Sequence, residues 1–348
     1  MKTLKVRLGK NTHPIKIGTG ILKKLPQWLG PAKQRSVTLV SDRVLRGPAQ
    51  TLARDLRRHG FSVHLLFKTS TEALKTWSSV GSIYEELLQF GMDRKSVLIA
   101  LGGGVIGDVT GFVAGTYLRG ISWVNIPTTL LAQVDSAVGG KTGINLKGGK
   151  NLVGLFNQPS LVVCDVSLLK SLPAREIQSG LGEVMKYGLL RSRPAPLTRD
   201  LEKQVYQCLK TKILIVEKDE REVLGLREVL NLGHTFAHAI ESVTKFRRYR
   251  HGEAVYLGLH AAIELSVIRG HLARADAEAM RDGISHMRVP SLPRRLSKMK
   301  LIAWMKRDKK VSGGRPKFVL LRGRGKPLLD SDVTDQEIKE SLYNTGLI

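Results

Sequence analysis

An alternation in the first half constrains the chain most. Short β-rich runs at residues 4–8, 14–17, 36–40, 62–67, 96–101, 121–126 and 161–164 are separated by stretches with apolar positions at helical spacing, near 20–29, 44–59 and 72–90. Strands that alternate with helices of this length predict a Rossmann-like, mostly parallel sheet with helices on both faces. Beyond about residue 168 the pattern changes. Apolar residues recur at helical spacing through 168–190, 201–216, 234–243, 253–268 and 273–286, and β-prone residues return only near 318–321. The chain reads as an α/β domain over residues 1–167 followed by a mainly α-helical domain over 168–348. The cleft between them is the expected place for a site.

A length of 348 residues accommodates two such domains. With 42% apolar and 25% charged residues the chain is an ordinary globular one, which excludes a mainly disordered or collagenous class. Charge is the unusual quantity: 56 Lys+Arg against 30 Asp+Glu gives +26, divided evenly about residue 167. An even spread describes a surface that attracts anions generally rather than a basic tail. Aromatics are only 5%, and no helix-turn-helix, RNA-recognition or zinc-finger pattern occurs, so specific nucleic-acid binding is not expected. Two cysteines, Cys164 and Cys208, make no disulfide framework and suit a reducing compartment. With no secretory pattern and no run of about 20 apolar residues, a cytoplasmic protein is expected.

Three motif groups carry chemistry. After the run ending at Leu101, Gly102, Gly104 and Gly107 satisfy G-x-G-x-x-G before a helical pattern. Such glycines let a backbone approach a pyrophosphate at a helix N-terminus, although a plain tight turn explains them equally, and Asp108 can be read as a helix cap. Pro127-Thr128-Thr129 closes another strand, followed by Asp135 and by two glycine-flanked lysines, Lys141 and Lys150. These lysines suit a phosphate cradle or two solvated loops. The Walker pattern is only half met, which argues against an ATPase. In the helical half, His234 and His238 stand at i and i+4, His251-Gly252-Glu253 opens the next helix, and Glu183 lies in Gly182–Gly188. One carboxylate with two or three imidazoles is the donor set of a catalytic zinc with an open position. Spacing alone does not say which two histidines bind; the simplest choice is His234 with His238.

Together the strings LGGGVIGDVTGFVAGTYLRG, IPTTLLAQVDSAVGGKTGIN, GKNLVG, SLPAREIQSGLGEVMKYG, NLGHTFAHAIE and HGEAV, in order from about residue 93 to 258, resemble the 3-dehydroquinate synthases of the sugar phosphate cyclase family. The resemblance implies an NAD- and metal-dependent (Zn or Co) lyase, redox-neutral overall, acting on 3-deoxy-D-arabino-heptulosonate 7-phosphate as a homodimer. It implies Glu183, His234 and His251 as metal ligands, with His238 on the substrate side, against the spacing argument. Lys141, Asn151, His238 and one lysine of Asp308-Lys309-Lys310 (Lys310 is preferred) would hold phosphate, with Arg119 reaching across from the other subunit. Lys212, Arg227 and Asn231 would bind the carboxylate and hydroxyl end, with Lys186 near the substrate. For NAD the implied positions are Asp42, Glu72, Lys75, Gly103, Gly104, Val105, Asp108, Thr128, Thr129, Asp135, Lys141, Lys150, Leu168, Ser171, Leu172 and Glu176.

The chain departs from the family pattern in four ways. The segment between Lys186 and Lys212 is short and interrupted by Arg193-Pro194-Ala195-Pro196, and one extra residue precedes Arg227. Ala237 replaces a common glycine of the histidine helix, and the charge is far more basic than the family's usual range. None of these removes a chemical group. The nearest rival is a cyclase for a carboxylate-free sugar phosphate, for which the cationic pair Lys212 and Arg227 would have no use. A glycerol-dehydrogenase-like enzyme would share the architecture but release NADH.

Overall fold

The computed structural model describes residues 1–32, 35–191, 198, 200–284, 287–290, 300–305 and 316–347. Its contacts divide the chain into two compact units: Met1–Leu172 with Asp200–Arg221, and Pro173–Arg199 with Glu222–Ile348. The helix over 201–216, which the sequence pattern groups with the second domain, thus belongs to the first unit.

The first unit is built on strands β1 (Lys2–Val6), β2 (His13–Gly18), β3 (Ser36–Asp42), β4 (Ser62–Lys68), β5 (Val97–Gly102) and β6 (Ser122–Pro127). With Leu161–Asp165 they form a seven-stranded sheet, in which that last strand lies between β2 and β6 and the order then runs β5, β3, β4. Only β1 is antiparallel to its neighbour; the other pairings are parallel. Central β5 reads Val-Leu-Ile-Ala-Leu-Gly and is buried throughout, as a strand covered on both faces must be. Its alternation divides the core. Leu98 and Ala100 pack with residues of α3 (Trp77–Gln89) and α4 (Gly104–Thr116), while Val97, Ile99 and Leu101 pack with α1 (Leu25–Leu29) and α2 (Arg46–Arg58).

The two glycine-flanked lysines do not lie on plain loops. They sit on an antiparallel hairpin of β7 (Lys141–Leu146) and β8 (Gly149–Phe156), with Lys141 opposite Phe156. β7 packs on α4, whereas β8 leaves Leu152, Leu155 and Phe156 exposed.

In the second unit, α5 (Ala174–Leu189), α7 (His234–Val243) and α9 (Arg274–Asp282) pack on α8 (His251–Ile268), as does the C-terminal helix Asp335–Asn344. A short hairpin, Phe318–Leu321 with Pro327–Asp330, completes it. α8 is buried almost all round and crosses α5 at glycine: a Cβ on Gly252 would lie 1.6 Å from the Ser179 carbonyl oxygen. A second close approach, 2.1 Å from a Cβ on Gly258 to the Gly233 oxygen, seats the start of α7 on the same helix. No helix among the described residues is long and apolar enough to cross a membrane.

Candidate functional site

The two glycine crossings gather three side chains in the second unit. Glu183 on α5, His234 at the start of α7 and His251 at the start of α8 present donor atoms within 4.8 Å of one another. Glu183 is fully buried. Its Oε1 has no aligned hydrogen-bond donor and lies 3.4 Å from His234 Nε2 and 3.3 Å from His251 Nε2. The far nitrogen of each ring is engaged: His234 Nδ1 meets the Leu232 carbonyl and His251 Nδ1 meets Glu241 Oε1, both at 3.2 Å. With Nδ1–H donated in each ring, the two Nε2 atoms are the nitrogens that could turn lone pairs to a cation beside the orphaned oxygen. One carboxylate and two imidazoles so disposed fit a divalent cation.

His238 is on the same face of α7, its ring centroid 5.6 Å from that of His234, but it groups instead with Glu241 and His251. The i, i+4 pair of the sequence is therefore split between two clusters. Burial would raise the Glu183 pKa, but the Lys186 ammonium, 2.5 Å from Oε2, and then His234 outweigh it and hold the carboxyl well below its usual range. His238 is pushed down to about 3 by burial and by the imidazoles of His234 and His251. For His251 desolvation opposes charge, yet the contacts with Glu183 and Glu241 prevail and push its pKa up to about 10. Arg227 is buried, its Nε 3.5 Å from Glu222 Oε1, and it lies on a 3-10 turn, Leu226–Asn231, that ends at exposed Asn231. The stretch before it uses left-handed backbone at Glu222 (φ 57°) and Gly225 (φ 72°). Glu176 accepts from Arg250 Nε at 2.8 Å.

In the first unit, β5 runs into α4 with Gly103 at the cap position and no side chain capping the helix. The backbone there is close-fitting: a Cβ on Gly103 would lie 3.1 Å from Thr129 Cγ2, and one on Gly104 3.1 Å from Ser136 Oγ. Thr128 N–H donates to the Gly102 carbonyl at 2.9 Å. A small recess opens here, lined among others by Gly103, Gly104, Asp108, Lys141 and Thr142. An uncapped helix N-terminus on a glycine turn beside such a recess fits a dinucleotide phosphate.

Around it, Lys75 Nζ pairs with Asp108 at 2.6 Å and donates to Asn151 Oδ1. Burial pushes the Asp108 carboxyl up, against the pull of Lys75. Asn145 links Glu72, 2.8 Å away, to the Asn151 N–H, and Lys150 lies 3.9 Å from Glu72. On α6 (Leu201–Val216), Lys212 pairs with the Asp135 carboxylate and donates to its carbonyl at 2.9 Å. Asp42 caps the turn after β3 through Val44 N–H. Leu168 and Ser171 lie on a 3-10 stretch, Val166–Ser171, followed by Leu172. Arg119 is exposed and follows Leu118, both in left-handed backbone. Val105 lies in the first turn of α4. Lys309 and Lys310 lie outside the described residues, as do residues 192–197.

Glu241, Glu222 and Asn145 were not singled out from sequence. Glu241 was legible in principle, since residues 234, 238 and 241 share one helix face.

Comparison with known proteins adds independent findings. Residues 66–179 match the family model described as 3-dehydroquinate synthase N-terminal, and residues 180–311 match the model described as 3-dehydroquinate synthase C-terminal. The chain is 40% identical to the 3-dehydroquinate synthase of Desulforamulus reducens, over 97% of this chain and 98% of that one. It is 41% identical to the 3-dehydroquinate synthase of Neisseria meningitidis with the same coverage. Among solved structures, a 2-deoxy-scyllo-inosose synthase complexed with carbaglucose-6-phosphate, NAD+ and Co2+ superposes with a TM-score of 0.89, at 25% identity and 99% coverage of both chains.

Proposed function

The chain belongs to the 3-dehydroquinate synthase family, and on that premise we propose that it converts 3-deoxy-D-arabino-heptulosonate 7-phosphate to 3-dehydroquinate and phosphate. The observation that carries this reading is the convergence of Glu183, His234 and His251 in a chain that also presents a glycine-turn recess and substrate-side cations. NAD would supply the transient oxidation at C5 and a divalent cation would supply Lewis-acid polarisation of the C5 oxygen. Glu183, His234 and His251 would hold that cation. Asp42, Glu72, Lys75 and the Gly103–Asp108 turn would hold the dinucleotide, with Thr128, Thr129, Asp135 and Lys150.

The substrate carries negative charge at both ends, and the chain supplies cations of different geometry for each. Arg227 offers a planar fork to the carboxylate, seconded by Lys212 and Asn231. Lys141, Asn151, His238 and a lysine of the 308–310 segment take the phosphate. His238, kept neutral, offers that end one N–H and one lone pair. Oxidation of C5 acidifies the neighbouring C6 hydrogen, so phosphate leaves from C7. After re-reduction the ring opens and an intramolecular aldol step closes the carbocycle.

The working form is a cytoplasmic homodimer in this reading. Support comes from the exposed Leu118, Leu152, Leu155 and Phe156. Gly115 packs against Leu155, so this apolar face adjoins the turn that carries Arg119, which would serve the other subunit's phosphate site.

A cyclase for a carboxylate-free sugar phosphate is the second reading, favoured by the fold of the inosose synthase. Identity of 40% against 25%, and a buried guanidinium at Arg227, favour the first. The test is phosphate release from the heptulosonate phosphate with catalytic NAD and added Zn2+. Release without net NADH at ~340 nm supports the proposal. Stoichiometric NADH, or equal turnover of a carboxylate-free heptulose phosphate, overturns it.

A further inference from the structure

We propose that Glu241 is a positioning residue for the metal set, acting through His251. The inference rests on reading Glu183, His234 and His251 as the metal ligands. The two imidazoles are steered differently. His234 Nδ1 meets a backbone carbonyl, Leu232, which no side-chain substitution removes. His251 Nδ1 meets a side-chain carboxylate, Glu241 Oε1, at the same 3.2 Å. Glu241 is buried on α7, and His251 opens α8, so this contact ties together the two helices that carry the imidazole donors.

Three physical consequences follow. A carboxylate beside Nδ1 keeps a proton on that nitrogen, so Nε2, 3.3 Å from Glu183 Oε1, is the nitrogen left to give its lone pair to a cation held with that oxygen. An anion there also raises the donor strength of the ring more than a carbonyl does. Finally, the contact anchors one nitrogen of a ring whose side chain is 34% exposed, while its other nitrogen stays turned towards Glu183. His238 shares the Glu241 cluster, so the same carboxylate borders the imidazole assigned to the substrate phosphate.

The experiment compares wild type, Glu241→Gln, Glu241→Ala and Glu183→Ala, each stripped of metal and titrated with Zn2+ against a chromophoric chelator. Co2+ visible spectra of the same proteins report the donor geometry. Glu241→Ala is expected to weaken Zn2+ binding about 10–100-fold. The near-isosteric Glu241→Gln, which keeps an acceptor oxygen but not the charge, should fall between Glu241→Ala and wild type. Both should shift the Co2+ bands, while the melting temperature of the metal-free proteins changes little. A merely structural Glu241 would lower that melting temperature and leave the metal affinity of the folded protein alone. Wild-type affinity in either Glu241 variant overturns the proposal. Wild type that binds no Zn2+, or binds it no better than Glu183→Ala, sinks instead the metal reading on which the proposal stands.

Discussion

Glu183 has one oxygen paired to a buried ammonium and the other turned towards two imidazoles, so its removal does two kinds of damage. Glu183→Ala should abolish zinc retention and turnover, and it also removes the carboxylate that Lys186 pairs with, a loss of about 3–5 kcal/mol for a broken buried pair. His234→Ala and His251→Ala should lose metal and turnover without that stability cost. His238→Ala, by contrast, should keep zinc and lose rate. Metal analysis beside kinetics on all four variants checks this, and an empty site in His238→Ala would return the i, i+4 pair to the ligand role. Arg227 is buried, with the Glu222 carboxylate 3.5 Å from its Nε. Truncating one partner of a buried charge pair costs about 2–5 kcal/mol, so Arg227→Ala should weaken productive substrate binding by that amount. NAD affinity should be unchanged, and Arg227→Lys should recover only part of the loss, since an ammonium cannot copy the fork.

Among the elements, the crossing of α5 and α8 does the assembling. A methyl group at Gly252 cannot sit 1.6 Å from a carbonyl oxygen, so Gly252→Ala must push the helices apart. It should cost at least the roughly 1–3 kcal/mol of ordinary overpacking and weaken zinc binding in the same variant, read by denaturation and chelator competition. Further along α8, Glu264 is buried with Arg274 at 2.7 Å, Arg281, and the Asn344 amide at 2.8 Å, joining α8 to α9 and to the C-terminal helix. Burial raises its pKa, but the hydrogen bonds from Arg274, Asn344 and Arg281 outweigh it and leave it below 4.5. A carboxyl that is more acidic when folded contributes its full stability above the unfolded value and loses it as pH falls through the folded one. The melting temperature should therefore fall as pH drops below ~4.5, and Glu264→Gln should flatten that part of the profile. The long periodic elements were legible in sequence because a buried stripe or a buried run is written in the residues themselves. β5 and α7 are examples. The β7–β8 hairpin was not, since one of its strands is exposed and its glycines read as loop. Nor was the seat of α6: an amphipathic pattern states that a face is buried, not against what. Glu183, His234 and His251 came from resemblance, and only the glycine crossings of the fold explain physically why residues 51 and 17 positions apart meet.

For the molecule as a whole, +26 is an electrostatic instruction rather than an architectural one. A doubly anionic substrate should be drawn in faster at low ionic strength, and the field is screened within about 8 Å at physiological salt. Added NaCl should thus lower kcat/KM while kcat holds; a kcat that falls in parallel would mean salt acts on the chemical steps or the fold instead. The chain passes from the first unit to the second after Leu172, returns at Asp200 and leaves again after Arg221. A ribosome, emitting residues in order, therefore finishes the sheet well before it delivers α6, the helix whose Lys212 engages Asp135. At roughly 5–20 residues per second the interval lasts a few seconds, during which the nascent first unit has its strands but not the helix that covers part of it. A chain ending at residue 172 should therefore aggregate more readily than one ending at residue 221, which light scattering of the two truncated proteins would read.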